Sequence, residues 1–363
     1  MRLALLVSIL LAFSLGCGGS APSDPEGGIV FDASGGGDGG LDAALDGAAM
    51  DAASDAPITE LCNPESMVRL PSDDGLHPDA PIEWWYWTGH LQDALGRFYG
   101  YQVTFFDFGL ASLMNVALTD VEGAVFHRDA SFVFAGLPAT ADGFEYAFDT
   151  TQGVGGAGLD HLSSAFGTVG FDLTLSATQT PVLHHGDGRE DYPFGGYTFY
   201  YSRTRMETTG MVHVGGEDRV VTGTSWFDHQ WGDLAQATNL GWDWFAIQLE
   251  DGRDIMLFSV RGTPGFVGGT LSGSDCGGAR ELLPSEIVIT PQAEWTSPET
   301  ACVYPILWDL QVAGINLTIT PVMQAQEHAN ARDVARSYWE GASTVSGDAQ
   351  GRAYVELTGY CGP

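Results

Sequence analysis

What most limits the fold of this chain is the spacing of its apolar residues from residue 80 onward. They alternate with polar ones in short runs such as "FYGYQVTFF", "GFDLTLSAT", "VVTGTSWF", "DIMLFSV", "EIVIT" and "INLTITPV", broken by Gly, Asp and Pro. A period of two places successive side chains on opposite faces, which is strand geometry and not helix geometry. No 3.6-residue pattern is sustained, one turn near 324–336 apart. Short alternating runs with frequent turn residues predict an all-β protein of barrels or sandwiches.

The pattern is also written twice. "EWWYWTGHLQDALGRFYGYQ" (83–102) aligns with "GWDWFAIQLEDGRDIMLF" (241–258), so that Trp84 meets Trp242, Tyr86 meets Trp244 and Leu91 meets Leu249. "FDLTLSATQTPVL" resembles "WDLQVAGINLTITPVM", and "YYSRTRMETTGMVHVGGEDRVVTGTSW" resembles "SYWEGASTVSGDAQGRAYVELTGY", in the same order. Two β units are expected, 65–235 and 236–363. Alternation puts Glu83, Trp85, Trp87 and Leu91 on one side of the first repeat's strand, and Asp243, Phe245, Ile247 and Leu249 on one side of the second's. With the apolar side inward, each unit points one carboxylate, Glu83 or Asp243, at its interior. Along "SWFDHQWG", Phe227, His229 and Trp231 oppose Trp226, Asp228 and Gln230; both sides hold apolar residues, so alternation does not choose a face there.

Residues 1–17 read as a secretory signal: Arg2, an apolar run from Leu3 to Leu15 too short to span a bilayer, then Gly16-Cys17. The ending resembles a bacterial lipobox, which would make Cys17 a lipidated N-terminus anchored in a membrane of the cell envelope. Residues 18–64 are expected to form a disordered tether; up to residue 57 they hold eight acids and no base, and too little apolar matter for a core. Net charge is −33, of which about −26 belongs to residues 58–363, so nucleic-acid binding is disfavoured. All 14 basic residues are Arg, which excludes Schiff-base lysine chemistry and a Walker-type phosphate loop. Beyond Cys17, four cysteines remain in an oxidising compartment, and two disulfides are expected. Of three possible connectivities the expectation is Cys276–Cys302 with Cys62–Cys361. His184-His185 in "HHGDG" face opposite ways in a strand and lack a clear third ligand; no metal and no cofactor are expected.

"EWWYWTGHL", "GRFYGYQVTFF", "GTSWFDHQWG", "GWDWFAIQLEDGRDIMLF" and the closing "YWEGASTVSG" and "GRAYVELTGY" resemble the hydroxyneurosporene synthase, or AttH-like, family, which includes carotenoid hydratases. The resemblance runs from about 65 to 361 and implies two lipocalin-like antiparallel β-barrels packed together. Relatives add water to the terminal double bond of acyclic carotenoids; more distant lipocalin-like relatives guide polyene cyclisation. Carried over, the hydratase motif assigns catalysis to His229 and Trp231 of "DHQWG" and Asp243 of "GWDW". The hydratases place a Tyr just before the second motif, where this chain has Gly241.

Adding water to an isolated alkene requires a proton delivered to carbon and water captured by the resulting cation. A carboxyl buried among apolar groups keeps its proton near neutral pH, the expected role of Asp243. Trp231 would face the cation with its ring, and His229 would take the proton from water. Glu83, Trp85, Tyr86, Trp226, Trp242 and Trp244 are expected to line the substrate site. In the bland alternative, Asp228 and His229 only hydrogen-bond each other or pin backbone amides. The functional expectation is a monomeric envelope protein acting on a hydrophobic polyene or lipid-like small molecule, as hydratase or isomerase/cyclase. The alternative is a non-catalytic, lipocalin-like carrier, which needs an apolar cavity but no acid and base within it.

Overall fold

The computed structural model describes residues 61–362, apart from 141–142, 264 and 274–278. The leader 1–17 with Cys17, the tether up to residue 60, and Cys276 lie outside the described residues. Among those described, the chain forms a 12-stranded antiparallel sheet beginning at Ile82–Asp93 and a 10-stranded one beginning at Trp242–Leu249. Each opening strand pairs on one side with its hairpin successor, Phe98–Asp107 or Asp254–Val260. On its other side it pairs with the last strand of its own sheet, Glu217–Asp233 or Gly351–Leu357. That return curls each sheet into a barrel, and both barrels share one order of pairing. Tyr86 lies opposite Asp228 in the first and Trp244 opposite Glu356 in the second, so residues aligned in sequence take matching places.

A short helix, Ala235–Leu240, joins the barrels and ends at Gly241, whose φ of 75° is left-handed. A Cβ there would lie 2.4 Å from Arg261 Nη2 and 2.9 Å from the Thr358 carbonyl oxygen. No side chain beyond hydrogen has room at this position.

Three cores hold the molecule. Trp85, Trp87, Leu91 and Phe227 fill the first barrel, and Phe245, Ile247, Leu249 and Trp308 the second. A third core, between the barrels, gathers Tyr86, Trp226, Trp244, Met256 and Tyr354. Strands Ile82–Asp93 and Trp242–Leu249 are thus buried on both faces, with one face in a barrel and the other against the neighbouring barrel. Each fully buried large apolar side chain contributes about 1.5–3 kcal/mol, so the inter-barrel face is an integral part of the fold. The first barrel also encloses an ion pair: Arg203 Nη1 and Nη2 donate to the two Asp74 oxygens at 2.8 and 3.0 Å, both side chains fully buried.

The expected cysteine pairing is corrected. Cys302 is bonded to Cys361. Cys62 is also disulfide-bonded, to neither of these. The Cys302–Cys361 bond joins the residue before strand Val303–Val312 to the C-terminal tail, where the Tyr304 hydroxyl lies 3.0 Å from Cys361 Sγ. Spacing along the chain carries no sign of that meeting.

Candidate active site between the barrels

The two inter-barrel faces leave a narrow cavity of about 80 Å³ between them. Its walls are aromatic: Trp84, Tyr86 and Phe106 from the first barrel face Trp242, Trp244 and Phe258 from the second. The walls are braced across the interface. Tyr86 and Trp244 meet edge to face at 5.2 Å, and Trp244 Nε1 donates to the Tyr200 hydroxyl at 3.0 Å.

Three carboxyl groups, Asp228, Glu340 and Glu356, open into this apolar space. Asp228 accepts from the Tyr200 hydroxyl at 2.5 Å, from Trp226 Nε1 at 2.6 Å and from the Ser202 hydroxyl. Burial nevertheless outweighs these bonds and pushes its carboxyl up to about 7. Glu356, which accepts from Trp242 Nε1 at 3.2 Å, is likewise pushed by burial to about 7. Glu340 stands directly across the strand pair from Glu356, so the two side chains share a face. Burial first, and then the Glu356 charge, hold the Glu340 proton well above the usual carboxyl range. Its Oε1 accepts from the Tyr86 hydroxyl at 2.5 Å, while its Oε2 is buried without a partner among the described residues. A neutral Glu340 with the proton on Oε2 therefore aims a donor that no group among the described residues takes up.

The residues singled out in the sequence divide between this cavity and the barrel interiors. Tyr86, Trp242 and Trp244 line the cavity, and Trp226 stands behind it, bonded to Asp228. His229, Trp231, Glu83 and Trp85 project into the first barrel. There Glu83 Oε1 lies 2.8 Å from His229 Nε2 and 2.7 Å from His77 Nδ1. His77 stacks on Trp231 at 3.9 Å, and Trp85 on His229 at 4.5 Å. Burial pushes the Glu83 carboxyl up, but the bonds to His229 and His77 outweigh it and hold the group below its ordinary value. Burial opposes a charge on His77 as well, yet its bonds to Asp73 and Glu83 raise it to about 9. On His229 burial wins, and its imidazole is held below the ordinary value.

Asp243 points into the second barrel. It accepts from Arg261 Nη1 and from the Tyr360 hydroxyl, both at 2.7 Å. Burial raises its carboxyl against those two partners. The expectation that Asp243 and His229 share one hollow is therefore corrected: each projects away from the cavity, with a sheet on either side of it between them. Alternation is obeyed, but it leads to barrel interiors that are packed with side chains. The cavity acids lie on the opposite parity. Asp228 is in the quoted "SWFDHQWG", where parity left the face open; Glu340 and Glu356, in the closing hairpin, carry no signal beyond lying among Trp and Tyr.

Fold and site together define a double β-barrel protein built around an aromatic, acid-bearing inter-barrel cavity. The chain belongs to the AttH-like family, whose model matches residues 62–360. No functionally curated protein matches it in sequence. Among solved structures it is similar to an AttH protein of Nitrosomonas europaea, with 30% identity, 83% of this chain and 99% of that one covered, and a TM-score of 0.74. It is also similar in fold to kievitone hydratase of Nectria haematococca, at 19% identity, 80% and 92% coverage and a TM-score of 0.70.

Proposed function

We propose that the inter-barrel cavity hydrates an isolated carbon–carbon double bond in a hydrophobic, polyene- or isoprenoid-like small molecule. The observation that carries this reading is Glu340: a buried carboxyl with a free oxygen, facing aromatic rings and paired with a second acid poised near neutrality. Glu340 Oε2 gives its proton to the less substituted alkene carbon; the π pair forms the new C–H bond and the neighbouring carbon becomes a cation. The faces of Trp84, Trp242 and Trp244 stabilise that cation by about 2 kcal/mol or more once water is excluded. Water adds to the cation and loses a proton to ionised Glu356, and proton exchange between the paired carboxyls restores the starting state. Two neighbouring acids with separated proton affinities are the arrangement general acid–base chemistry needs. The hydratase activity of a structural relative is compatible with this reading. His229 and Asp243 stand outside the cavity and touch no reacting atom in this reading.

The test is turnover of acyclic terpenoid alkenes and prenylated phenols in ¹⁸O-labelled water, with mass spectrometry of the alcohol. Wild-type protein should incorporate one labelled oxygen, and Glu340→Gln should bind the same alkene without converting it. Tight binding with no turnover by wild type would establish the carrier alternative instead. We also propose that lipidation at Cys17 places this cavity at an envelope membrane, where apolar substrates partition. Metabolic palmitate labelling that is lost in Cys17→Ser checks it, and unlabelled wild type refutes it.

A further inference from the structure

One cluster lies outside the proposed chemistry. His184 and His185 are adjacent in sequence but part in the structure. The His184 ring is held between Thr270 Oγ1 at 2.9 Å and Ser202 Oγ at 2.6 Å, across the barrel interface. His185 turns the other way on a left-handed backbone, φ 58°. Its side chain is only 5% exposed, yet its Nε2 is buried without a partner among the described residues. Its Nδ1 lies 3.4 Å from Glu190 Oε2, beyond the range of a good hydrogen bond. Glu281, on a strand of the second barrel, completes the group: one ligand atom from each of the three residues falls within 4.8 Å of the others. The missing third ligand that removes "HHGDG" from consideration in the sequence is therefore supplied by the other barrel.

We propose that His185, Glu190 and Glu281 bind a divalent transition-metal ion of the zinc class that ties the two barrels together. One imidazole nitrogen with two carboxylate oxygens is a zinc-type donor set, with ligands about 2.0–2.2 Å from the ion. Calcium takes six to eight oxygens and is poorly served by a nitrogen. A separation of 3.4 Å between nitrogen and oxygen suits two ligands on one ion. Glu281 is exposed and Glu190 partly so, leaving both free to close on it. Negative charge is crowded here, since Glu190 feels Glu281, Asp191 and Asp187 together. The compact His77–Glu83–His229 group differs in the decisive respect. Its atoms already sit at 2.7 and 2.8 Å, where each pair shares a proton and leaves no space for an ion. The His185 ring lies 5.7 Å from Phe258 and 6.5 Å from Tyr192, both of which line the cavity. An ion here braces the cavity wall from behind and touches no reacting atom.

The experiment is calorimetric titration of the EDTA-stripped, untagged full chain with zinc chloride and separately with calcium chloride, alongside melting curves. One zinc per chain is expected, with a rise in Tm and weaker calcium binding. Glu281→Gln and His185→Asn should each weaken zinc binding by at least about tenfold and remove the rise in Tm. Asn tolerates the left-handed backbone at 185, so the metal-free variant should melt where metal-free wild type does. Absence of stoichiometric zinc binding, zinc binding unchanged in both variants, or tighter binding of calcium than zinc would each overturn the assignment. None of these readouts depends on turnover.

Discussion

Replacing Glu356 with glutamine should stabilise the protein at alkaline pH and leave it unchanged in acid. Burial holds the Glu356 carboxyl at about 7, against an ordinary value of 4.5. Between those two pH values the folded chain keeps a proton that the unfolded chain has released, so stability falls as pH rises and the loss is complete above about pH 7. At about 1.4 kcal/mol per pH unit, the gap amounts to roughly 3 kcal/mol. Glutamine has the same shape and no charge, and its oxygen still accepts from Trp242 Nε1, which lies 3.2 Å from Glu356 Oε2. For a chain of this size the gain corresponds to a rise in Tm of roughly 5–10 °C near pH 8.5 and none near pH 4.5. Calorimetric melts of both proteins across that range, disulfides intact, measure it directly. An equal difference at both ends, or a variant less stable than wild type in alkali, would show that the cavity does not hold this carboxyl above its ordinary value. The proposed mechanism would then lose its base.

The other expectations follow from the same geometry. Glu340→Gln should lower kcat by about 10²–10⁴-fold, the usual contribution of a general acid, with ligand affinity retained; a variant as active as wild type removes Glu340 from the reaction. Asp243→Asn, at a residue held by Arg261 and Tyr360 outside the cavity, should leave turnover unchanged in the same assay. His77, raised to about 9 from 6.5, adds stability that is complete below about pH 6.5 and lost as pH climbs through 9. That contribution is on the order of 3 kcal/mol, and urea titrations at pH 6 and pH 9.5 should show His77→Gln falling by about that much less than wild type. The Cys302–Cys361 bond spans 59 residues, so Cys302→Ser should destabilise by about 4 kcal/mol in the chain-entropy model. Peptide mapping without reductant should recover 302 joined to 361, and recovery of 276 joined to 302 would refute the pairing.

The two curled sheets were legible from period-two alternation, and the repeat was legible because both opening strands keep Trp, Tyr and Leu in step. Phe245, Ile247 and Leu249 do face a barrel interior, as their parity requires. Parity misleads about the site because it assumes that one face of a strand is wet. In strands Ile82–Asp93 and Trp242–Leu249 both faces are dry, so Tyr86 and Trp244 are buried along with Trp87 and Phe245. An acid on such a strand reads like a solvent-facing residue whichever core it enters. Glu340 and Glu356 carry no distinguishing pattern for that reason, and Glu281 lies too far along the chain from His185 for spacing to join them.

The repeat also explains where the acids stand. Tyr86 and Trp244 are aligned in sequence, and their partners across the closing strands are Asp228 and Glu356. One carboxyl therefore comes from each barrel at equivalent positions, facing the other across the cavity. The next strand over breaks the equivalence: Ser202 lies opposite Asp228, whereas Glu340 lies opposite Glu356. On the first barrel's side the hydroxyl of Ser202 donates to Asp228, so that acid is already satisfied by its own sheet. On the second barrel's side two carboxyls confront each other, and they cannot both ionise cheaply in an apolar space. One must hold a proton while the other gives its proton up, which is the asymmetry an acid and a base require. A hydroxyl at 340 would leave two similar, self-satisfied acids and a cavity suited to binding alone. The point at which the two halves stop matching is thus where a double barrel that could merely carry an apolar molecule acquires the means to protonate one.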